Sequence, residues 1–290
     1  MKNTASSKAI LVPVDFTEII PNTLNHAAEM ARLFGKPIAL LHVVNKGLFD
    51  SNHKIELEEE EALAKLQNMA EQFFAKTGIT TTATVRRGSI YDVIGELAQE
   101  LPAALVVMGT HGVKGIQKII GSNAIRVIVR SGEIPFLVVQ QRPIPHNGYR
   151  KVVLPLGFTK ESRQKLNWAT ELHKRLNCTF YILAETESDE FLARGVEANL
   201  AFAQKYLSEH NCRFEVTHAP AKTDFYKDII NHAIQIEADM IMLMTEEETK
   251  FSEYFTAPDE QNVIANPAQI PVFCINPVDN MQISSAAMFQ

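Results

Sequence analysis

Glycines and small polar residues are concentrated in one stretch of the chain, from Met108 to Ala124. The apolar run Ala104–Met108 precedes it, and the pattern of Ser122–Arg130 predicts a helix after it. Glycines between a strand end and a helix start leave backbone N–H groups uncovered, and the helix dipole adds positive potential there. The stretch therefore predicts a phosphate site, and with it a nucleotide-binding function.

The size, charge and cysteine content limit the class of protein. The 290 residues allow one large domain or two of common size, and the net charge of −6 argues against nonspecific nucleic-acid binding. No apolar run approaches the roughly 20 residues that span a bilayer, and Met1–Lys8 has no apolar segment typical of a secretory signal. The short apolar runs predict no membrane contact. The three cysteines form no C-x-x-C pair, which predicts reduced, buried cysteines in a cytoplasmic protein.

The chain contains an internal repeat. When the sequence is shifted by 142 positions, Pro13–Glu29 aligns with Pro155–Glu171 without a gap, and seven of the 17 positions are identical. Prolines and a glycine interrupt Gln141–Tyr149, so we expect the linker there. The repeat predicts two tandem domains, at residues 1–142 and 149–280.

Short apolar runs alternate with helical patterns in both halves. Most runs are continuously apolar, which is typical of parallel strands covered on both faces, and the β-α order predicts right-handed crossovers in a doubly wound α/β sheet. The predicted strands are Ile10–Val14, Ile38–Val44, Thr81–Arg86, Ala104–Met108 and Phe136–Val139, then Val152–Leu156, Thr179–Ala184, Arg213–His218, Met240–Met244 and Val272–Ile275.

These residues resemble the universal stress protein family in its tandem form. The resemblance rests on Val12–Thr17, on Leu41–Val44, and on a loop that begins Met108–Gly112 and closes at Gly121 and Ser122. The resemblance covers nearly all of the first half, but in the second half it covers only the pattern of strands and helices and not the loop. It implies two Rossmann-like domains of the adenine nucleotide α-hydrolase type, each with a five-stranded parallel sheet in the order 3-2-1-4-5 and helices on both faces. In that order ligands bind between the first and fourth strands, outside their carboxyl ends.

The resemblance also implies a ligand, ATP with or without Mg, and the residues that hold it. Asp15 would meet the adenosine, with the base lined by neighbouring strand residues, and the glycines would let the phosphates approach. Simpler roles exist beside these: Asp15 and Ser122 as helix N-caps, and Gly109 as a turn residue with positive φ. The implied binding residues are Pro13, Val14, Asp15, Val43, Met108, Gly109, Gly112, Gly121, Ser122, Asn123 and Ala124.

Other residues of the first half do not predict chemistry. His111 has no evident partner and is interpreted as a loop residue, and His42 as a hydrogen-bonded residue within a strand. The run Glu56–Glu61 is interpreted as a solvated helix face. We therefore expect neither a catalytic residue nor a metal site.

The second half lacks the features of the predicted site. Gly157 replaces Asp15, and the run Met244–Glu248 stands where the first half has Gly109–Gly112. Three consecutive carboxylates would repel a phosphate. We therefore expect a single nucleotide site, in the first half.

The resemblance implies a bacterial stress-response protein that binds ATP to regulate. Two alternatives stay open, a slow ATP hydrolase and an interaction scaffold without nucleotide. Eight residues separate Gly112 from Gly121, where the ATP-binding members have nine, and this difference keeps the scaffold alternative open. The Walker, dinucleotide and nucleophile-elbow motifs are absent, so the chain is more readily interpreted as a non-enzyme. The two halves are expected to associate through their last strands as a pseudo-dimer, with a homodimer as a further option.

Overall fold

The computed structural model describes residues 8–45, 52–110, 122–245 and 258–278, with the backbone alone for residues 122, 123, 258 and 259. The chain divides into two compact units, between Pro143 and Ile144. Within the described residues, no helix is both long and apolar enough to span a bilayer.

The first unit is an α/β fold with five parallel strands. Parallel pairing of β2 with β3, β1 with β2, β1 with β4 and β4 with β5 places the strands in the order 3-2-1-4-5. Its elements are β1 (Ile10–Pro13), α1 (Ile20–Phe34), β2 (Ile38–Val44), α2 (Asn52–Thr77), β3 (Thr81–Arg87), α3 (Ile90–Glu100), β4 (Leu105–Gly109), α4 (Ser122–Arg130) and β5 (Phe136–Val139).

The second unit repeats this arrangement. Its pairings give the equivalent order 8-7-6-9-10, again with parallel strands. Its elements are β6 (Lys151–Leu156), a short 3-10 helix (Lys160–Arg163), α5 (Lys165–Leu176), β7 (Thr179–Ala184), α6 (Glu190–Glu209), β8 (Arg213–His218), α7 (Phe225–Gln235), β9 (Met240–Met244), α8 (Pro258–Ile264) and β10 (Val272–Ile275).

The central strands form the core, as their continuously apolar sequences predict. Ile10–Val12 and Leu105–Val107 have no exposed surface, because helices cover a central parallel strand on both sides. The expectation of an α/β fold with two tandem domains of parallel strands is confirmed. Strand ends differ by one residue at some places: β1 ends at Pro13, while β4 begins at Leu105 and includes Gly109.

The chain that leaves β5 is held against α1 by two buried or half-buried side chains. Asn22 donates from Nδ2 to the carbonyl oxygens of Gln140, at 2.6 Å, and Arg142, at 3.0 Å. His26 has no exposed surface, and its Nε2 lies 3.0 Å from the same Arg142 oxygen. Since a carbonyl only accepts, Nε2 carries the proton of the neutral ring. These bonds fix the end of the first unit to its first helix.

Candidate functional site

The carboxyl ends of β1 and β4 lie side by side in the first unit. Ile10 pairs with Leu105 and Leu11 with Val106, so the parallel register brings Val14 to the level of Gly109. The strand order reverses between these two strands, since β2 lies beyond β1 and β5 beyond β4. Ligands of open α/β sheets bind at such a reversal, and the residues that follow β1 and β4 therefore form the candidate site.

Asp15 is exposed at the end of β1 and does not cap the following helix. Its Oδ1 accepts hydrogen bonds from the backbone N of Thr17, at 3.1 Å, and from the Thr17 hydroxyl, at 2.5 Å. Helix α1 begins five residues after Asp15, with Ile19 as its N-cap and no side-chain hydrogen bond there. The N-cap alternative for Asp15 is therefore wrong, and its carboxylate is held in a local turn at the rim of the crevice.

Phe16 has a backbone conformation that a bulky residue rarely adopts, with φ at 58°. Its ring lies 4.7 Å from the ring of His42, between centroids. The Nδ1 of His42 lies 2.7 Å from the carbonyl oxygen of Val14, so this nitrogen donates. The hydrogen bond expected for His42 is thus present. Strained residues of this kind cluster at binding sites, and Phe16 is the residue that the sequence interpretation missed.

A cavity of about 380 Å³ opens beside Phe16, between the end of β2 and α2. Its volume falls in the range of small-molecule sites. It is lined by Phe16, His42, Val43, Val44, Asn45, Glu58, Glu61, Ala62 and Lys65. Among the predicted site residues, Val43 lies on this lining.

The wall of this cavity that comes from α2 is acidic. Glu58 and Glu61 contribute carboxylates against one ammonium group, from Lys65, so the cavity suits an uncharged group better than a phosphate.

The acidic run on α2 is also more than a solvated face. Glu59 pairs with Arg87 of β3 at 2.5 Å, and this hydrogen-bonded guanidinium lowers the pKa of Glu59.

Gly109 ends β4 and packs closely against the start of α1. Its φ is not positive, so the alternative of a left-handed turn residue is wrong. A Cβ atom there would lie 2.8 Å from the hydroxyl of Thr23 and 2.9 Å from a methyl of Ile19. The missing side chain lets the first turn of α1 reach the strand end. Met108, one residue earlier, is half-buried, as Pro13 is at the end of β1.

Helix α4 begins at Ser122, as its sequence predicts. Ala124 is buried, while the side chains of Ser122 and Asn123 are not described. Gly112, Gly121 and His111 lie outside the described residues. The phosphate-binding and capping roles of this loop stay predictions.

A side chain of α6 is hydrogen-bonded to the loop that follows β6 in the second unit. Asn199 donates from Nδ2 to the carbonyl oxygens of Gly157, at 2.7 Å, and Thr159, at 2.8 Å. Gly195 of the same helix packs on Phe158, since a Cβ atom on Gly195 would lie 3.2 Å from that of Phe158. Helix α6 thus closes over the end of β6.

The carboxylate of the second crevice stands in a different place from that of the first. Pro13 pairs with Leu41 and Pro155 with Leu183, so Glu185 occupies the position of Val43. A Cβ atom on Gly157 would lie 2.9 Å from Oε2 of Glu185. Burial, aided by the negative charge of Glu187, raises the pKa of Glu185 to about 7.

The end of β9 repeats the end of β4 with a bulkier residue. Thr110 donates from its backbone N to the carbonyl of Val139, at 3.0 Å, and Thr245 donates to that of Ile275, at 2.9 Å. Met244 therefore stands where the first unit has Gly109. The three glutamates that follow Thr245 lie outside the described residues.

Comparisons with known proteins point to one family. The model of the universal stress protein family matches residues 6–140. Universal stress protein G of Salmonella typhimurium (strain LT2) is 34% identical over 143 residues, which are 46% of this chain and 99% of that protein. The crystal structure of a universal stress protein from Archaeoglobus fulgidus DSM 4304 covers 93% of this chain and 98% of its own, at 19% identity and a TM-score of 0.76, which shows the same fold. A universal stress protein in complex with cAMP covers 48% of this chain, at 20% identity and a TM-score of 0.38.

Proposed function

The chain belongs to the universal stress protein family, and from that premise we propose that its first unit binds an adenine nucleotide, ATP above all, at the carboxyl ends of β1, β2 and β4. The observation that carries the proposal is the cavity of about 380 Å³ at the end of β2, the strand next to the reversal of strand order between β1 and β4. Open α/β sheets bind ligands outside the carboxyl ends of their strands near such a reversal, and a nucleoside fits a cavity of this size.

The charges around the crevice support one orientation of the nucleotide. The cavity offers the ring of Phe16 and the side chain of Val43 to a flat base, whereas Glu58 and Glu61 disfavour a phosphate there. Phosphates would then extend toward the glycine loop and the start of α4, where backbone N–H groups attract anions. Asp15, which follows β1 and is exposed, would accept from ribose hydroxyls.

The second unit is proposed to take no nucleotide. Asn199 holds α6 against the loop that follows β6, and Glu185 replaces the apolar wall that Val43 gives the first unit. The protein would therefore hold one nucleotide and regulate through it. Rapid hydrolysis is not part of the proposal, and Mg would enter with the triphosphate.

Matched variants in the two units test the site. We expect calorimetry on the full chain to show one ATP bound per chain, and ATP at 100 times its Kd to stabilise the protein by about 2.7 kcal/mol. Val43→Glu, which copies the second unit, should abolish binding because it adds a charge to the base pocket. Glu185→Val, its mirror image, should leave affinity unchanged.

Several results would count against the proposal. Binding that survives Val43→Glu but is lost in Glu185→Val would place the site in the second unit. No heat and no thermal shift at millimolar ATP would favour the interaction scaffold, the alternative that the short spacing from Gly112 to Gly121 keeps open. Repeated release of phosphate would favour the hydrolase.

Association of the two halves, and of two chains, is proposed from the resemblance alone. We expect light scattering to give the mass of a dimer, and X-ray scattering to lack the profile of two separated lobes. A monomer mass together with a two-lobed profile would contradict both associations.

A further inference from the structure

Two cysteines of the second unit stand at equivalent places in consecutive β-α repeats. Cys178 connects α5 to β7, and Cys212 connects α6 to β8. Each follows an asparagine with left-handed backbone in the turn that ends the preceding helix, Asn177 at φ 52° and Asn211 at φ 57°. The chain therefore enters both strands in the same way.

The pairing of β7 with β8 makes these cysteines neighbours. The parallel register begins with Thr179 opposite Arg213, and the cysteines are the residues directly before this pair. Neighbouring strands lie about 4.8 Å apart, which falls within the Cα separations of about 4.4–6.8 Å that disulfides span. Side chains at matching positions of paired strands share a face, and both cysteines are buried, at 0% and 7% exposure.

The electrostatics of the two thiols also indicate that they are close. Burial raises the pKa of Cys178 to about 12, and the neighbouring Cys212 adds to the increase. Burial raises the pKa of Cys212 to about 11, while the ammonium group of Lys174 acts in the opposite direction. The raised pKa values keep both thiols protonated near neutral pH, so oxidation would be slow, and it would begin at Cys212, which is the more exposed thiol and has the lower pKa.

We propose that Cys178 and Cys212 form an oxidation site, which closes into a disulfide across β7 and β8 when the protein meets a hydroperoxide. The Cys212 thiolate attacks the peroxide O–O bond, which gives a sulfenic acid and releases water or an alcohol. The Cys178 sulfur then displaces the sulfenic oxygen, which leaves as a second water with the remaining thiol proton. The protein loses two electrons and two protons, and the peroxide is reduced.

The disulfide-bonded protein would be more stable than the reduced protein. The bond would enclose the chain that contains α6, which is the helix that covers the second crevice. A cross-link over such a loop restricts the unfolded chain and stabilises the folded one. The oxidised protein should therefore unfold at a higher urea concentration than the reduced protein.

Peptide mapping of the native full chain tests the site. The protein is treated with hydrogen peroxide in native buffer, its remaining thiols are blocked, and it is digested with trypsin without reductant. We expect a linked pair of peptides, Leu176–Arg194 with Tyr206–Arg213, whose mass is lower by two hydrogen atoms than the sum of the two. Cys274, on β10, is separated from β7 by β6 and β9 and should stay a thiol.

Variants and conditions supply the controls. Cys274→Ser should retain the linked peptides and the higher urea midpoint, while Cys212→Ser should lose both. The proposal is overturned if the native wild-type protein gives no linked pair at peroxide concentrations that oxidise glutathione fully. It is also overturned if the link forms only in urea, if it joins Cys274, or if it joins two chains.

Discussion

His26 should make the first unit less stable as the pH falls. The residue is fully buried, and burial lowers the pKa of its ring to about 4, although its hydrogen bond to the Arg142 carbonyl acts in the opposite direction. In the unfolded chain the ring titrates near its ordinary value of about 6.5. Between these two values the unfolded state binds the proton and the folded state does not, so stability rises with pH across this window and is lost on acidification.

The size of the effect follows from the two pKa values. The full difference corresponds to about 3 kcal/mol, which is reached only below pH 4. Between pH 7 and pH 5.5 the unfolded ring takes up most of its proton, and the cost to folding is about 1 kcal/mol. This smaller interval avoids the titration of most carboxylates.

Hydrogen–deuterium exchange resolves the first unit by itself. The chain has one tryptophan, Trp168, in the second unit, so its fluorescence follows that unit, whereas exchange in peptides that cover β1 and β4 follows the first. In His26→Gln, which keeps a donor for the Arg142 carbonyl, the loss of stability between pH 7 and pH 5.5 should shrink by about 1 kcal/mol. His53→Gln, at an exposed position on α2, is the matched control. Equal pH dependence in wild type and His26→Gln would refute the reasoning.

Three further changes have defined outcomes. Burial raises the pKa of Glu185 to about 7, so its contribution to the stability of the second unit is present below about pH 4.5 and is lost as the pH rises through 7. Glu185→Gln should therefore raise the free energy of unfolding at pH 8 by about 1–2 kcal/mol, a figure that is discounted for partial exposure. Tryptophan-monitored urea unfolding should show no such gain at pH 4. Gly109→Ala should cost about 1–3 kcal/mol, because its Cβ atom would overlap Thr23, and exchange in the peptide that contains β4 should accelerate. Asn199→Ala should cost about 2–3 kcal/mol, since it leaves two carbonyls without their donor, and an unchanged urea midpoint would show that water replaces the amide.

The strands could be predicted from the sequence because a buried strand appears there as a short, continuously apolar run. The runs Thr179–Ala184 and Phe136–Val139 have the predicted bounds, since a strand covered on both faces needs apolar residues throughout. The repeat then gave the correspondence between the two units. It also contained a signal for Phe16, which recurs as Phe158, and this identity could have marked the residue as part of the crevice.

The contacts between elements could not be predicted in the same way. Gly109 is required by the approach of α1, and nothing in the local sequence shows which element comes near a strand end. The strand register shows that Glu185 of the second unit occupies the position of Val43 in the first. The sequence repeat alone aligns positions, but it does not show which side chains line the same crevice. The backbone of Phe16 is set by its neighbours as well, since its own type disfavours a φ of 58°.

Comparison of the two crevices explains why a duplicated fold would serve one ligand. In the first unit the carboxylate of Asp15 follows β1 at the rim, and the end of β2 presents the apolar Val43 to the cavity. In the second unit the β1 counterpart carries no side chain at Gly157, and the carboxylate of Glu185 stands on the β2 side instead. This exchange converts an apolar wall into an acidic one and places a half-buried charge where a base would lie. Because burial already raises the pKa of Glu185 to about 7, a bound base would have to meet either a desolvated charge or a carboxyl that has taken up a proton.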